Sequence, residues 1–475
     1  MFKKVVVANR GAVAARVLRS LKALGIRTVA VYSEADRDLP YLAFADETHA
    51  IGDAEARASY LNQDAILAVL RRSGADGLHP GYGFLSENAE FAARVNAASA
   101  RFIGPSPKWI DAMGHKTRAR DLMAAHGMSM GASSGLLTGD SASTLLAAAR
   151  VGYPVMVKPA GGGGGIGMIT ARDDAQLLKA VEQARSLAQR SFGNAELYLE
   201  SLAERPRHVE FQVLADRYGN VRHLFERDCS IQRRHQKVIE EAVAPGLPRQ
   251  QVDAAADSIT TVLGNLGYDV IGTVETLCDS GGNFSFLEMN TRLQVEHAVT
   301  EEVTGVDLVA AQVRLAWGER LDGVLPETIG VRGHAIEARV YAEDPVRFYP
   351  SPGLLKTLRL PGGTGIRIET GYAEGNRLTP HYDPMIAKVI AHGADRAQAI
   401  ERLTEALDAT VIEGVKTNIS FVRNVLQYES FLGGDVQTGL GAEVLLESSR
   451  KPRTDAVQAS GRSERIALST TTLGE

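Results

Sequence analysis

The sequence predicts a multidomain protein of mixed α/β and α+β class whose first domain contains a doubly wound parallel sheet. The chain opens with an apolar strand at 4–8, an amphipathic helix that Gly25 ends and a second strand at 27–32, which together form a βαβ unit. Farther along the chain, short strands and helices follow one another in an α+β order. The length of 475 residues corresponds to about two to four domains with ample core.

Composition and charge are those of an ordinary globular protein. Hydrophobic residues make up 44% and charged residues 23% of the chain, and the formal net charge of −5 gives no support for a nucleic acid or an anionic membrane as partner. We find no apolar run of about 18 residues and no signal peptide before the first strand, so we predict a cytoplasmic protein. Cys229 and Cys278 are too far apart for a CxxC metal site, and we expect both to be buried packing residues.

The predicted first domain, residues 1–114, carries one loop suited to ligand binding. The strand that ends near His79 runs into a glycine-rich loop that extends to Phe84. Ligands of doubly wound sheets lie at the carboxyl ends of the strands, so His79, Tyr82 and Glu87 are candidate lining residues. A plain tight turn is the alternative interpretation. The first strand–helix turn lacks GxGxxG, which excludes the dinucleotide fingerprint.

A second loop contains five successive glycines, Gly161 to Gly165, after a strand that ends in Lys158. Ordering such a run costs conformational entropy, so we expect the glycines either to keep the loop mobile or to let its backbone N–H groups approach phosphates closely. The flanking segments 154–158 and 167–170 form a hairpin within a small α+β unit at about 131–204. A flexible linker is the alternative. Neither the P-loop motif nor the kinase HRD and DFG motifs occur.

The segment 286–297 alternates polar and apolar residues. An extended chain would direct five polar side chains to one side: Glu288, Asn290, Arg292, Gln294 and Glu296. A turn at 279–283 brings Glu275 nearly opposite Glu288, where two carboxylates and the Asn290 amide suit Mg²⁺ or Mn²⁺. A fully extended strand would separate Glu288 and Glu296 by about 26 Å, so we expect a bend near Thr291. A hairpin with a surface salt bridge is the alternative.

Further cationic residues precede this segment. A group of four lies within eleven residues: Arg227, Arg233, Arg234 and Lys237. Such a cluster is commonly a solvated face, but beside a metal–phosphate site it would stabilise a transferring phosphoryl group and a bound anion. The segment 196–203 leaves the small α+β unit, and a purine base can be held by backbone groups at such a crossing between two domains. These parts together predict a nucleotide site.

The chain resembles biotin carboxylases, the ATP-grasp subunits of biotin-dependent carboxylases such as acetyl-CoA carboxylase. The resemblance covers nearly the whole chain, and its motifs are ANRG at 8–11, HPGYGFLSEN at 79–88, the glycine loop with Lys158, RHVE at 207–210, QRRHQK at 232–237, 288–297 and EAR at 337–339. It implies a Rossmann-like pre-ATP-grasp domain at 1–114, an ATP-grasp domain at 115–330 with a mobile glycine-loop lid at about 131–204, and a C-terminal biotin-carboxylase lobe at 331–447. The polar segment 448–475 is expected to be a disordered tail.

The resemblance also implies a two-step ligase reaction, in which ATP phosphorylates bicarbonate to carboxyphosphate and the carboxyl group passes to N1 of biotin. Three residues would hold Mg²⁺ or Mn²⁺: Glu275, Glu288 and Asn290. ATP would be held by Lys116, Lys158, Gly163, Gly164, Gly165, Ile166, Gly167, Met168, Glu200, Ser201, Leu202, Ala203, His208, Gln232 and His235. Bicarbonate would be held by Lys237, Arg292, Gln294 and Val295, with Glu296 as the general base. Arg339 would stabilise the biotin enolate, and Tyr82 would line the ureido site.

The sequence departs from the family pattern at four positions. Ile166 stands where acyl-CoA-directed relatives usually carry Arg or Lys and is more typical of urea-carboxylase-type relatives; the others are Ala12, His115 and Ala298. No biotin-attachment motif occurs, so a biotinylated carrier protein and a carboxyltransferase are expected on separate chains. Relatives of this length are commonly homodimers, and an acyl-CoA is the acceptor that we expect.

Three alternatives stay open at this point. Another ATP-grasp ligase, which joins a carboxylate to an amine, would share the metal carboxylates and phosphate lysines but would have no reason to keep Arg292, Glu296 and Arg339 together. A urea-carboxylase-type protein would carry out the same first step with a different final acceptor. A catalytically silent subunit would bind ATP without turnover.

Overall fold

The computed structural model describes residues 1–161, 166–234 and 236–450, with side chains up to Ser448 among them. Three of the predicted glycine-loop residues, Gly163, Gly164 and Gly165, lie outside these ranges, as do His235 and most of the expected tail.

A five-stranded parallel sheet with the order β3-β2-β1-β4-β5 forms the first part of the chain, as the opening βαβ unit predicts. The helix α1 and both flanking strands lie within two residues of the predicted bounds. The elements are β1 (Lys4–Val7), α1 (Gly11–Ala23), β2 (Arg27–Tyr32), β3 (Glu47–Ala50), α2 (Gln63–Ser73), β4 (Gly77–His79), α3 (Ala89–Ala97), β5 (Arg101–Phe102) and α4 (Pro107–Gly114).

A small unit follows that has the predicted α+β composition. Its three antiparallel strands have the order β7-β6-β8, and the helices α6 and α7 bury their apolar faces against them in a separate core. The predicted hairpin that brackets the glycine loop is the β6–β7 pair. The helix α5 (Lys116–Ala125) precedes this unit, and its buried residues belong to another core. The elements of the unit are α6 (Ser141–Val151), β6 (Val155–Pro159), β7 (Ile169–Ala171), α7 (Asp174–Phe192) and β8 (Leu197–Ser201).

The largest element is an antiparallel sheet of eight strands with the order β13-β12-β9-β10-β11-β14-β19-β17. Its first five strands precede residue 330 and its last three follow it, so one sheet joins the predicted second and third domains. The elements up to residue 330 are β9 (Arg207–Ala215), β10 (Val221–Arg233), β11 (Gln236–Ala242), α8 (Arg249–Leu266), β12 (Val270–Cys278), β13 (Phe284–Asn290), α9 (His297–Thr304), α10 (Leu308–Trp317) and α11 (Leu321–Val324).

The remaining strands and helices complete this sheet and cover it. Helices α12 and α13 pack against it in a core that combines residues of β11, β14 and β19. The elements are β14 (His334–Tyr341), β15 (Gly353–Leu354), β16 (Thr357–Arg359), β17 (Ile366–Thr370), β18 (Arg377–Leu378), β19 (Met385–Gly393), α12 (Arg396–Ala409), β20 (Val411–Glu413), α13 (Ile419–Leu426), α14 (Glu429–Leu432) and α15 (Leu440–Arg450). Among the described helices, none combines the length and the apolar character that crossing a bilayer requires.

The β12–β13 hairpin positions the candidate site. Its register places Glu275 directly opposite Glu288, as the turn at 279–283 predicts. The strand ends at Asn290 and α9 begins at His297, so the chain changes direction near Thr291 as expected. Residues 291–296 therefore form a curled segment beside the strand end instead of continuing away from it.

Candidate active site

A cavity of about 520 Å³ contains most of the predicted site residues. It is lined by residues of β6 and β8 and by residues of the eight-stranded sheet. The predicted residues among its lining are Lys116, Lys158, Met168, Glu200, Ser201, Leu202, Ala203, His208, Gln232, Lys237, Glu275, Glu288, Asn290, Arg292, Gln294, Val295, Glu296 and Arg339.

Lys237 lies at the centre of three carboxylates contributed by three different parts of the chain. Its Nζ is 2.6 Å from Oε2 of Glu210, 2.7 Å from Oε1 of Glu275 and 2.7 Å from Oε1 of Glu296. Burial alone would lower the pKa of this ammonium, but the three carboxylates together raise it well above its usual value. Lys237 therefore stays charged and holds the acidic groups in a fixed arrangement.

Glu296 is buried between two cations. Its Oε1 accepts from Lys237, and its Oε2 is 3.0 Å from Nη2 of Arg339. Although burial favours the neutral acid, Lys237, Arg339 and the more distant Arg227 hold the pKa of this carboxyl well below its usual range. Glu296 is therefore ionised and able to accept a proton from an anion bound beside these cations.

The predicted metal ligands converge at the end of β13. Oε1 of Glu275 accepts from Nδ2 of Asn290 at 2.9 Å, and Oε2 of Glu288 contacts Lys116 at 2.7 Å. Lys237 and His208 hold the pKa of the Glu275 carboxyl well below its usual range despite its burial. Two carboxylates and an amide oxygen on neighbouring strands fit a hard divalent cation, whose remaining positions water and nucleotide phosphates usually fill. Bound there, Mg²⁺ or Mn²⁺ would neutralise charge on the phosphates.

A second acidic grouping lies beside these residues. Ligand atoms of His208, Glu210 and Glu275 lie within 4.8 Å of one another, which is close enough for one ion. The Lys237 ammonium already contacts both carboxylates of this group. Because the Lys237 ammonium lies between the two carboxylates, we assign Glu210 to holding Lys237 and keep only Glu275 of this group as a candidate metal ligand.

Arg292 begins the curled segment and is held in place by three side chains. Its Nε donates to Oε2 of Glu87 at 2.9 Å, Nη2 donates to Oδ1 of Asn290 at 2.9 Å and Nη1 donates to Oε1 of Gln294 at 2.6 Å. Glu87 also accepts from the backbone N–H of Thr291. Glu87 lines neither cavity, so the prediction that it lines a ligand is wrong, and it instead supports the curl and orients this guanidinium.

The opposite wall of the cavity has an excess of cations. Glu200 on β8 pairs with Lys158 and lies 3.0 Å from Nη1 of Arg120, while Lys116 pairs with Glu288. Burial lowers the pKa of the Lys158 ammonium, and repulsion from Lys116 and Arg120 opposes the attraction of Glu200. A polyanion such as a nucleotide phosphate chain would relieve this repulsion.

Tyr82 lines a second cavity of about 600 Å³ and not the first. The two cavities share four lining residues: Gln236, Arg292, Val295 and Arg339. Burial raises the pKa of the Tyr82 phenol, so it remains a neutral hydrogen-bonding group. The shared residues lie between the two cavities, and the guanidinium groups of Arg292 and Arg339 border both of them.

Some predicted lining residues are not in either cavity. His79 is fully buried, its Nδ1 accepts from the Gly81 N–H, and burial lowers its pKa to about 3. It therefore supports the loop, and the prediction that it lines a ligand is wrong.

Two described residues of the glycine loop, Ile166 and Gly167, line neither cavity, and 48% of Ile166 is exposed. Of the basic cluster, Arg227 is buried against Glu210 and Arg233 against Glu343. Arg234 is exposed and donates to the Arg347 carbonyl, so Lys237 is the member that lines the first cavity.

Several residues that complete the site were not predicted from the sequence. Glu210 lies two residues after His208 on β9, so both side chains are on the same face of the sheet. This spacing could have predicted that Glu210 belongs to the site. Met156, Leu277 and Leu287 add apolar lining to the first cavity. These three occur in ordinary strand patterns, so nothing in their sequence distinguishes them from core residues.

Comparisons with known proteins cover nearly the whole chain. Family models match residues 1–110 (biotin carboxylase, N-terminal domain), 115–324 (carbamoyl-phosphate synthase L chain, ATP binding domain) and 337–442 (biotin carboxylase C-terminal domain). The chain is 47% identical to a biotin carboxylase of Halalkalibacterium halodurans over 95% of this chain and 100% of that protein. It is 45% identical to one of the pyruvate carboxylase subunits of Methanothermobacter thermautotrophicus over 92% of this chain and 89% of that protein.

Among solved structures, the biotin carboxylase domain dimer of the Hydrogenobacter thermophilus 2-oxoglutarate carboxylase, in complex with MgADP, ADP and bicarbonate, is similar. The TM-score is 0.90 and the identity 42%, over 94% of this chain and 99% of that chain. The three-domain architecture, the full-length identity and the shared fold lead to one conclusion: the chain belongs to the biotin carboxylase family of enzymes.

Proposed function

We propose that the chain uses ATP and bicarbonate to carboxylate biotin on a separate carrier protein, through carboxyphosphate, as the first half-reaction of an acyl-CoA carboxylase. The observation that carries this proposal is the convergence of Glu296, Lys237 and Arg339 beside the metal-type carboxylates. A base held between two cations suits the deprotonation of a small anion, which is what makes bicarbonate a good nucleophile.

For the nucleotide, the basic wall supplies the complementary charge. Lys116 and Lys158 would contact phosphate oxygens in place of their present carboxylate partners. The backbone of residues 200–203 and the apolar side chains of Leu277 and Leu287 border the same cavity and would hold the base. Glu275, Glu288 and Asn290 would hold a divalent cation, which would neutralise charge on the phosphates.

For bicarbonate, the curled segment supplies the cradle. Arg292 offers a planar fork that matches a carboxylate-like anion, and Lys237 supplies a point charge. Gln294 and the backbone of Val295 complete the enclosure. Glu296 would take the proton, and the resulting dianion would attack the terminal phosphorus of ATP and release ADP, which forms carboxyphosphate.

For biotin, the second cavity provides a place next to the same centre. Negative charge would develop on the ureido oxygen as N1 gives its proton to the phosphate released from carboxyphosphate, and Arg339 would stabilise this charge. Tyr82 would line this ureido site. Because Arg339 borders both cavities, the carboxyl group has a short path from carboxyphosphate to biotin.

The decisive experiment measures ATP hydrolysis with and without bicarbonate and free biotin. We expect hydrolysis that depends on bicarbonate and is stimulated by free biotin, and formation of carboxybiotin from labelled bicarbonate. A dependence on an added amine in place of biotin would instead indicate a carboxylate–amine ligase. ATP binding without turnover under all conditions would indicate a silent subunit.

The carrier and the final acceptor are tested separately. A tagged chain should retain a biotinylated carrier protein and a carboxyltransferase from the native source, and the reconstituted complex should carboxylate an acyl-CoA. Carboxylation of urea, pyruvate or 2-oxoglutarate by the complex would reject the acyl-CoA assignment but keep the biotin step. We further propose that the chain forms a homodimer, which sedimentation of the purified protein would test.

A further inference from the structure

Two buried carboxyl groups next to Arg339 have no role in the proposed mechanism. Glu240 on β11 and Glu337 on β14 are direct partners in the antiparallel register, so their side chains leave the sheet on the same face. Both residues are fully buried, and neither lines the two cavities. Like charges directly opposite each other are destabilising, which favours retention of a proton by the pair.

Hydrogen bonding supports the same conclusion. Both side-chain oxygens of Glu240 and Oε1 of Glu337 are buried and have no hydrogen-bond partner among the described residues. Nη2 of Arg339 is 2.6 Å from Oε1 of Glu240, but this ion-pair contact is not aligned as a hydrogen bond. A carboxylate can only accept, whereas a protonated carboxyl can donate to its neighbour. One proton held by the pair would therefore supply a donor among oxygens that otherwise have no partner.

The charged surroundings do not remove this proton. Glu240 faces Arg339, Glu337, Glu296 and Lys237, and Glu337 additionally faces Lys388 and Glu369. Burial raises the pKa of Glu240 to about 8, against the opposing effect of Arg339. Burial likewise raises the pKa of Glu337 to about 7, against the effects of Lys388 and Arg339. Glu296 and Glu369, which each pair with two cations, keep pKa values well below the usual range and remain ionised.

We propose that the Glu240–Glu337 pair holds a proton behind Arg339 and thereby leaves the positive charge of Arg339 available to the biotin pocket. The role assigned to Arg339 rests on the function proposed above. When the pair is fully ionised, Arg339 is surrounded by the carboxylates of Glu240, Glu296 and Glu337, and its ability to stabilise charge on the ureido oxygen falls. Glu240 and Glu337 touch no substrate, so they act as positioning residues.

The first test measures thermal unfolding as a function of pH and needs no activity. A carboxyl whose pKa is raised by folding stabilises the folded state at low pH, and this stability is lost as the pH rises from about 4.5 through about 8. Glu240→Gln is neutral at every pH, so its Tm relative to the wild type should rise between about pH 4.5 and about pH 8. Should this variant fail to fold, Glu337→Gln removes the same repulsion and should show the same trend.

The matched control for this experiment is Glu241→Gln, the same substitution at the next residue of β11. Glu241 is also buried, but His334 and Arg396 partner its carboxylate and hold its pKa below the usual value. Its loss should lower Tm without a relative rise at high pH. Equal pH dependence of Tm in the wild type, Glu240→Gln and Glu337→Gln would overturn the proposed proton.

The second test follows the biotin step. In the wild type, kcat/KM for free biotin should fall as the pH rises through the ionisation of the pair, while Glu240→Gln should retain several-fold more of its rate at about pH 9. Glu241→Gln should follow the wild-type profile, and the KM for ATP should not separate the variants. Identical biotin profiles in Glu240→Gln and the wild type would overturn the coupling to Arg339. Absence of biotin carboxylation at any pH, with the Tm contrast present, would overturn the proposed function and support the proton.

Discussion

The two lysines on opposite sides of the first cavity occupy contrasting environments. Lys237, on the eight-stranded sheet, meets three carboxylates, and its pKa is raised. Lys158, on the three-stranded sheet, shares a single carboxylate, Glu200, with Arg120, and its pKa is lowered. Both side chains are largely buried, so their numbers of acidic neighbours account for the difference.

This contrast indicates what each side can bind. The side with surplus carboxylates can accept a cation, and the side with surplus ammonium groups can accept phosphates. A metal–nucleotide complex carries both charges in one molecule and is complementary to the whole cavity. One side of the cavity acting alone would not be selective for the metal–nucleotide complex, because it would also bind a simple ion of the opposite charge. Substitutions on each side can therefore test this division.

The largest effect is expected from Glu296→Ala. Loss of the base should lower bicarbonate-dependent kcat by at least about 100-fold, the lower end of the range for general base catalysis. Nucleotide affinity, measured by equilibrium binding, should change little because the basic wall is intact. Glu405→Ala, an exposed position on α12, is the control and should stay within about twofold of the wild type. Loss of nucleotide affinity in Glu296→Ala would contradict the role of Glu296 as base.

The lysine contrast itself is tested by Lys237→Gln and Lys158→Gln. Lys237→Gln should raise the KM for bicarbonate by about 10-fold or more and the KM for ATP much less, because this residue belongs to the anion cradle. Lys158→Gln should show the reverse order. Lys237→Gln also leaves three carboxylates without their shared cation and should lower the free energy of unfolding by about 3–5 kcal/mol. Equal effects of each variant on the two Michaelis constants would argue against the division.

The cation side is tested by Glu288→Gln and Glu275→Gln. Both substitutions should lower the apparent affinity for Mg²⁺ by about 10-fold, because each removes a charged ligand. Only Glu275→Gln should also lower Tm clearly, because Glu275 is buried against Lys237 and His208 while the Glu288 side chain is 30% exposed. An unchanged Mg²⁺ requirement in both variants would remove these residues from the metal site.

The smallest effect is expected at the exposed loop residue Ile166. Ile166→Arg adds a cation to the loop that follows Lys158 and should lower the KM for ATP by about two- to fivefold, with stability changed by no more than about 0.5 kcal/mol. Ile166→Gln is the uncharged control of similar length. Equal KM values for the two variants would indicate that position 166 does not reach the nucleotide.

The β12–β13 hairpin was predictable because its signals are local. Strand period, turn composition and turn length together set Glu275 opposite Glu288. The bend near Thr291 was predictable because a fully extended strand would hold Glu288 and Glu296 too far apart to act in one site. The opening parallel sheet and the hairpin around the glycine loop followed from similar local patterns. The role of His79 was not predictable in this way, since a polar residue at a strand end has the same pattern whether it binds a ligand or supports a turn.

The sequence by itself determined the family, the order of elements and the set of residue types available for chemistry, because motifs and periodicity are properties of neighbouring residues. Only the tertiary structure decided which charges meet. Lys237 contacts carboxylates that are 27, 38 and 59 residues away, and Glu240 meets Glu337 through a strand pairing across the predicted domain boundary. Such pairings depend on sheet order and register, which fix the distances between charges and therefore their protonation states.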